Sequence, residues 1–118
     1  MKCATLIAAV AALFVLQCNS SARETSDTKM ETVKNMINEG ALVLDVRSPM
    51  EYNMGHYPEA INIPITELQK RVNEVGDSGR AIVVYCASGA RSETARNFLR
   101  SMGYSNVVNA GGLADMPR

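Results

Sequence analysis

Cys86 stands in the run YCASGARSET, residues 85–94, between an apolar stretch and a set of small residues that ends in Arg91 and Ser92. These residue types at this spacing suit a sulfur nucleophile working on anions. A loop of small residues lets the backbone curl, so that the N–H groups of Ala87, Ser88, Gly89, Ala90 and Arg91 can converge on one sulfur. A helix beginning where the loop ends adds partial positive charge, and Arg91 adds a full one. Both favour thiolate over thiol. The same cradle would hold an anion attached to, or attacking, that sulfur. The competing structural reading is a helix-capping turn that contains an inert cysteine.

Two chemistries use a cysteine loop of this kind. Phosphate-ester hydrolysis through phosphocysteine takes five residues between Cys and Arg, wide enough for a tetrahedral phosphate, and generally wants a carboxylic acid for the leaving group. Sulfur transfer through a cysteine persulfide needs room for one more sulfur atom. Four residues separate Cys86 from Arg91, and the tighter loop favours sulfur.

Such a loop needs a strand behind it and a helix in front. AIVVYC, Ala81 to Cys86, is the most strand-like run of the chain, and ALVLDV, Ala41 to Val46, is a second. Neither alternates with polar residues, which marks strands buried on both faces of a parallel sheet. AINIP, residues 60–64, and NVVNA, residues 106–110, are shorter strand candidates. A helix is expected from Arg91 or Ser92 to Met102, with Ala95, Phe98, Leu99 and Met102 inward and Gly103 as its C-terminal cap. Others are expected from a cap at Ser26 or Asp27 to about Glu39, with Met30, Val33 and Ile37 on one face, and from Thr66 to Val75, with Leu68, Val72 and Val75 inward. Met50 to Met54 suits a short helical turn. Strands alternating with helices give an α/β fold, a mainly parallel central sheet with helices on both faces. Ligands of such sheets bind beyond the carboxyl ends of the strands, where Cys86 falls.

The 118 residues carry no formal net charge and are 47% apolar. That is one small domain, neither disordered in composition nor basic enough to suggest nucleic acid as a partner. Lys2, the uncharged run ATLIAAVAALFVL and the small residues Ser20 and Ala22 read as a secretory signal peptide over residues 1–22. The apolar run is too short for an ordinary membrane span. Residues 23–27 then form a flexible polar segment and residues 28–118 the domain. The alternative for the leader is a lipid anchor at Cys18. Cleavage after Ala22 leaves 96 residues with net charge −1, and Cys86 as their one cysteine. A lone thiol in an exported domain is expected to be reactive or to pair between molecules.

YCASGARS resembles the active loop of the rhodanese family of sulfurtransferases, especially its small single-domain members. LVLDVRSPMEYNMGHYPEAINIP, residues 42–64, is similar to the family's upstream signature, and GYSNVVNAGGL, residues 103–113, to its C-terminal one. The likeness spans residues 28–115. It implies that the Cys86 thiolate takes the outer sulfur of thiosulfate or a related donor, and that cyanide or a thiol then removes it. It also implies that the backbone of Ala87, Ser88, Gly89, Ala90 and Arg91 stabilises the persulfide, that Arg91 helps bind the donor, and that Ser88 and Ser92 offer hydroxyls. No cofactor or metal is required. The partners are then a small sulfur donor and its acceptor, in an exported, periplasmic setting. The loop departs from some members in having Ala87 and Ala90 where they carry extra basic residues, which puts thiosulfate in doubt as the preferred donor. A sulfane-sulfur carrier without turnover and a cysteine phosphatase or arsenate reductase are the alternative functions.

Asp45 and Arg47 end a strand at the functional edge of the sheet and are expected to form an ion pair supporting that edge. His56, the single histidine, is expected to hydrogen-bond within its loop. Met50, Met54 and His56 have residue types that suit copper(I), but methionine more often fills gaps in a small core. Ser26 and Thr66 read as helix caps.

Overall fold

The computed structural model describes residues 21–118, with side chains from Thr25 onward. The expected leader lies outside the described residues from Met1 to Ser20, and Cys3 and Cys18 lie there with it. The elements run α1 (Ser21–Asn38), β1 (Leu42–Asp45), α2 (Pro49–Met54), β2 (Ile61–Asn62), α3 (Leu68–Arg71) with a 3-10 turn at Val72–Val75, β3 (Ile82–Cys86), α4 (Ala90–Ser101) and β4 (Val107–Gly112), closed by a 3-10 turn at Leu113–Asp115.

The four strands form one sheet in the order β2-β1-β3-β4, and every pairing is parallel. The two central strands are buried along their whole length, as their unbroken apolar sequence requires. Side chains alternate across the sheet. Leu42, Leu44, Ile82, Val84 and Cys86 join Leu68, Val75, Ala95 and Leu99 in one core, while Val43, Val83 and Tyr85 join Val33, Met36 and Met116 in the other. Burying a side chain such as Leu44 or Leu99 stabilises the fold by about 1.5–3 kcal/mol. The expected α/β architecture is therefore observed, with α4 and α3 on one face and α1 on the other.

Details differ. Helix α1, described from Ser21, takes in residues 23–27, expected to be flexible, with Ser26 inside the helix and not at its cap. Residues 25–32 are all exposed, so this stretch rests on local backbone bonding and not on packing. Met36 is buried beside Val33, whereas Met30 borders an open groove with Ala110 and Gly111 and stays about half exposed. Helix α3 starts at Leu68 without a side-chain cap, so Thr66 is no cap either. Met102 is exposed because α4 ends one residue before it. Among the described residues no helix is long and apolar enough to cross a membrane.

Candidate active site

Cys86 is the last residue of β3, and its side chain turns toward α4. Its sulfur is buried, yet it sits beneath a rim of exposed residues, Ala87, Ser88 and Ala90. Gly89 donates its N–H to Sγ at 2.9 Å. It does so from a left-handed conformation, φ 100°, and a Cβ there would press on the Cα of Gly111 at 3.4 Å. Glycine thus meets two demands at once, a backbone angle and a close approach. Burial opposes ionisation of the thiol. Hydrogen bonds from the Ser92 hydroxyl and from the N–H groups of Ser92, Gly89 and Ser88 outweigh it, and the pKa comes down to about 7.

Ser92, one turn into α4, is itself buried. Its Oγ lies 3.4 Å from Sγ, 2.7 Å from Oδ1 of Asn109 and 3.0 Å from the carbonyl of Gly89. Asn109 organises this corner. Its Nδ2 donates to the Gly89 carbonyl at 3.1 Å and to Glu93 Oε2 at 3.0 Å, while Oδ1 accepts the N–H of Gly111 at 2.9 Å. Two acceptors on one side and a backbone donor on the other leave the amide one orientation. Asn109 did not figure among the sequence candidates. A signal existed: two residues after buried Val107, it must face α4, and a polar side chain facing a core needs partners.

A bulge in β4 completes the corner. Val84 pairs with Asn109, but Tyr85 pairs with Gly111 and Cys86 with Gly112, so Ala110 is the extra residue. The bulge brings Gly111 and Gly112 against the cysteine loop. A Cβ on Gly112 would collide with the carbonyl oxygen of Ala87. Asp115 holds this end of the strand by accepting the Gly112 N–H at 2.8 Å.

Arg91 is not a free cation. Its Nη1 donates to Oε1 of Glu51 at 2.7 Å and its Nη2 to Oε2 at 3.0 Å. Glu51 was part of the recognised signature but had no role assigned to it.

Asp45 and Arg47 support the edge from the opposite face. Both are buried and joined at 2.7 Å, and Arg47 Nη2 also donates to the Gly55 carbonyl. Asp45 Oδ2 accepts the Tyr85 hydroxyl at 2.7 Å, and that hydroxyl accepts the N–H of Tyr57 at 3.0 Å. Burial first, and then the bond to Asp45, push the Tyr85 phenol up to about 12, so it stays a donor. The guanidinium of Arg47 lies over the Tyr85 ring, 5.5 Å from its centroid. Tyr85 and Cys86 are neighbours in sequence but point to opposite faces.

His56 bonds through Nδ1 to the Tyr52 carbonyl at 2.9 Å and stacks on the Tyr52 ring, a role internal to its loop. Met50 and Met54 are 74% and 84% exposed, which overturns the expectation that they fill the core. Helix α2 buries no residue, so it has no inner face for them to occupy.

Residues 29–115 match the family described as the rhodanese-like domain. Over 74 residues the chain is 43% identical to the thiosulfate sulfurtransferase PspE of Escherichia coli, covering 62% of this chain and 71% of that protein. It is 38% identical over 74 residues to a sulfurtransferase of Allochromatium vinosum, covering 63% and 68% of the two. Among solved structures it resembles a rhodanese with anions from E. coli, with TM-score 0.62 and 42% identity, over 66% of this chain and 95% of that one. With its parallel sheet and the cysteine loop at the sheet's carboxyl edge, the chain belongs to the rhodanese-like family.

Proposed function

We propose that the protein is a sulfurtransferase that carries sulfane sulfur as a Cys86 persulfide, from thiosulfate or a related donor to cyanide or a thiol. The observation that carries this reading is the sulfur of Cys86, aligned with the Gly89 N–H at 2.9 Å and holding a pKa near 7. About half of such a thiol is thiolate at neutral pH.

The chemistry follows from that sulfur. The thiolate attacks the outer sulfur of thiosulfate, the S–S bond breaks, and sulfite leaves with the electron pair. A persulfide remains, its outer sulfur directed into the cradle of Ala87, Ser88, Gly89, Ala90, Arg91 and Ser92. An acceptor thiolate or cyanide then attacks that outer sulfur, and Cys86 leaves as thiolate. Fixed N–H donors stabilise the anion without reorganising. Asp45 and Arg47 support the strand ends from the opposite face. The leader sequence supports export to a periplasm-like space, where a thiol held in a narrow loop is guarded against disulfide exchange.

Intact mass after exposure to thiosulfate tests this reading. The protein should gain one sulfur and lose it on adding cyanide, and the Cys86→Ser variant should gain none. A protein that takes up no sulfur, or a variant that turns over as well as the parent, ends it. Loading without release to any acceptor would instead mark a carrier.

A further inference from the structure

The Arg91–Glu51 pair stands beside the loop that the sulfurtransferase reading makes the donor site. The guanidinium forks onto both oxygens of one carboxylate, the strongest geometry available to such a pair. The side chains are 37% and 34% exposed, so a solute can reach and compete for either. Glu51 is held in place. Its Oε1 accepts from the N–H of Ser48 at 3.2 Å and from the Ser48 hydroxyl at 3.0 Å, and its own N–H donates back to that hydroxyl. This reciprocal cap fixes the start of α2, and Tyr52 ties the same helix to the Ala60 carbonyl at 2.7 Å. Bonds from Arg91, and then from Ser48, draw the Glu51 carboxyl down to about 2, so it is anionic at any working pH. Arg91 also borders a mainly apolar cleft of about 240 Å³, with Val46, Ser48, Pro49, Pro64, Ile65 and Thr66 in its walls.

We propose that Glu51 is a specificity-determining residue, a built-in competitor for Arg91 that turns the site away from dianionic thiosulfate and toward organic persulfides, whose sulfur carries at most one negative charge. A dianion must either displace the carboxylate from Arg91 or lie beside its charge. The reacting form of a persulfide, the neutral R–S–SH, does neither, and the cleft beside Arg91 offers its organic part a mainly apolar surface. The Cys86 thiolate attacks the terminal sulfur of R–S–SH, the S–S bond breaks with its electron pair on RS⁻, and the new Cys86 persulfide keeps the proton until solvent takes it.

Glu51→Gln is the test, because glutamine keeps a capping box while ending the ionic competition. In a Cys86→Ser background, where no reaction occurs, thiosulfate binding measured by calorimetry should tighten two- to fivefold, roughly the range of a partly exposed pair. With Cys86 present, KM for thiosulfate should fall by a similar factor at nearly constant kcat, while KM for benzyl persulfide should not fall. Tyr52→Phe, which frees α2 from the Ala60 carbonyl but leaves the pair and the cap, should leave the ratio of the two donors unchanged. Unchanged or weaker thiosulfate binding in the Glu51→Gln variant overturns the proposal, as does a shift of both donors together or an equal change of ratio in Tyr52→Phe. The binding arm reads Glu51 without turnover. Absence of sulfur uptake by Cys86 from either donor would instead count against the sulfurtransferase reading itself.

Discussion

The hydroxyl of Ser92 lies 3.4 Å from the sulfur of Cys86 and closer still, at 2.7 Å, to the side-chain oxygen of Asn109. One proton therefore has several acceptors in reach, these two and the Gly89 carbonyl at 3.0 Å among them. The shortest of these contacts is to Asn109, and when the hydroxyl turns to a Cys86 thiolate the Gly111 N–H still satisfies the amide oxygen. Ser92→Ala removes the hydroxyl contribution. Alkylation of Cys86 by iodoacetamide, followed against pH, should shift its midpoint upward from about 7. Losing a hydrogen bond to a charged group, at about 1.5–3 kcal/mol, corresponds to roughly one to two pH units.

Sulfur loading of the parent protein should follow the thiolate. Its initial rate should rise through about pH 7 and level off about a unit above. Rapid-quench loading with thiosulfate, analysed by mass, measures this. A rate still climbing at pH 9 would mean a thiol left at its ordinary value.

Stability is linked to the same group. The folded thiol ionises near 7 and an ordinary one near 9, so the folded state binds fewer protons across that window. The contribution is fully present above about pH 9 and is lost as pH falls through about 7. Denaturant unfolding of the parent, minus that of Cys86→Ser, should show stability growing from pH 7 to 9.

Asn109→Asp preserves shape but replaces a donor with a carboxylate facing the Gly89 carbonyl and Glu93. We expect a loss of about 1–3 kcal/mol in denaturant unfolding and slower loading at every pH. The two effects together distinguish a misplaced loop from a shifted pKa.

Gly112→Ala should spare the sheet and damage the loop. The added methyl meets the Ala87 carbonyl, and with β4 held by its pairing to β3 it is the loop that must move. Small displacements of reacting groups can slow a reaction on the order of a hundredfold. Loading kinetics should fall by a factor of that kind in a protein that keeps its far-ultraviolet circular dichroism.

Much of this was legible in the chain itself. The runs at Leu42–Asp45 and Ile82–Cys86 have one physical reading, because unbroken apolar strands need cover on both faces. Cys86 at the end of such a run, followed by four small residues and Arg91, carried the site. Contacts set by register were harder to see. Asn109 faces Ser92 only because strand pairing and the bulge at Ala110 place it there. Glu51 lies 40 residues before Arg91, and nothing local to either announces the pair. Two kinds of apolar residue are exposed against expectation: Met50 and Met54 lie on α2, which buries no residue, and Met102 falls past the end of α4.

The close approach of Gly112 to the Ala87 carbonyl also limits how wide a ring the loop can form. A strand pressed against one wall of the loop leaves no slack for a wider ring of backbone. A loop lengthened by one residue, enough to girdle a tetrahedral oxyanion, would have to swell away from β4 and break the Gly89–Asn109 tether. The width of the ring around the cysteine is thus gauged partly by the last strand of the sheet.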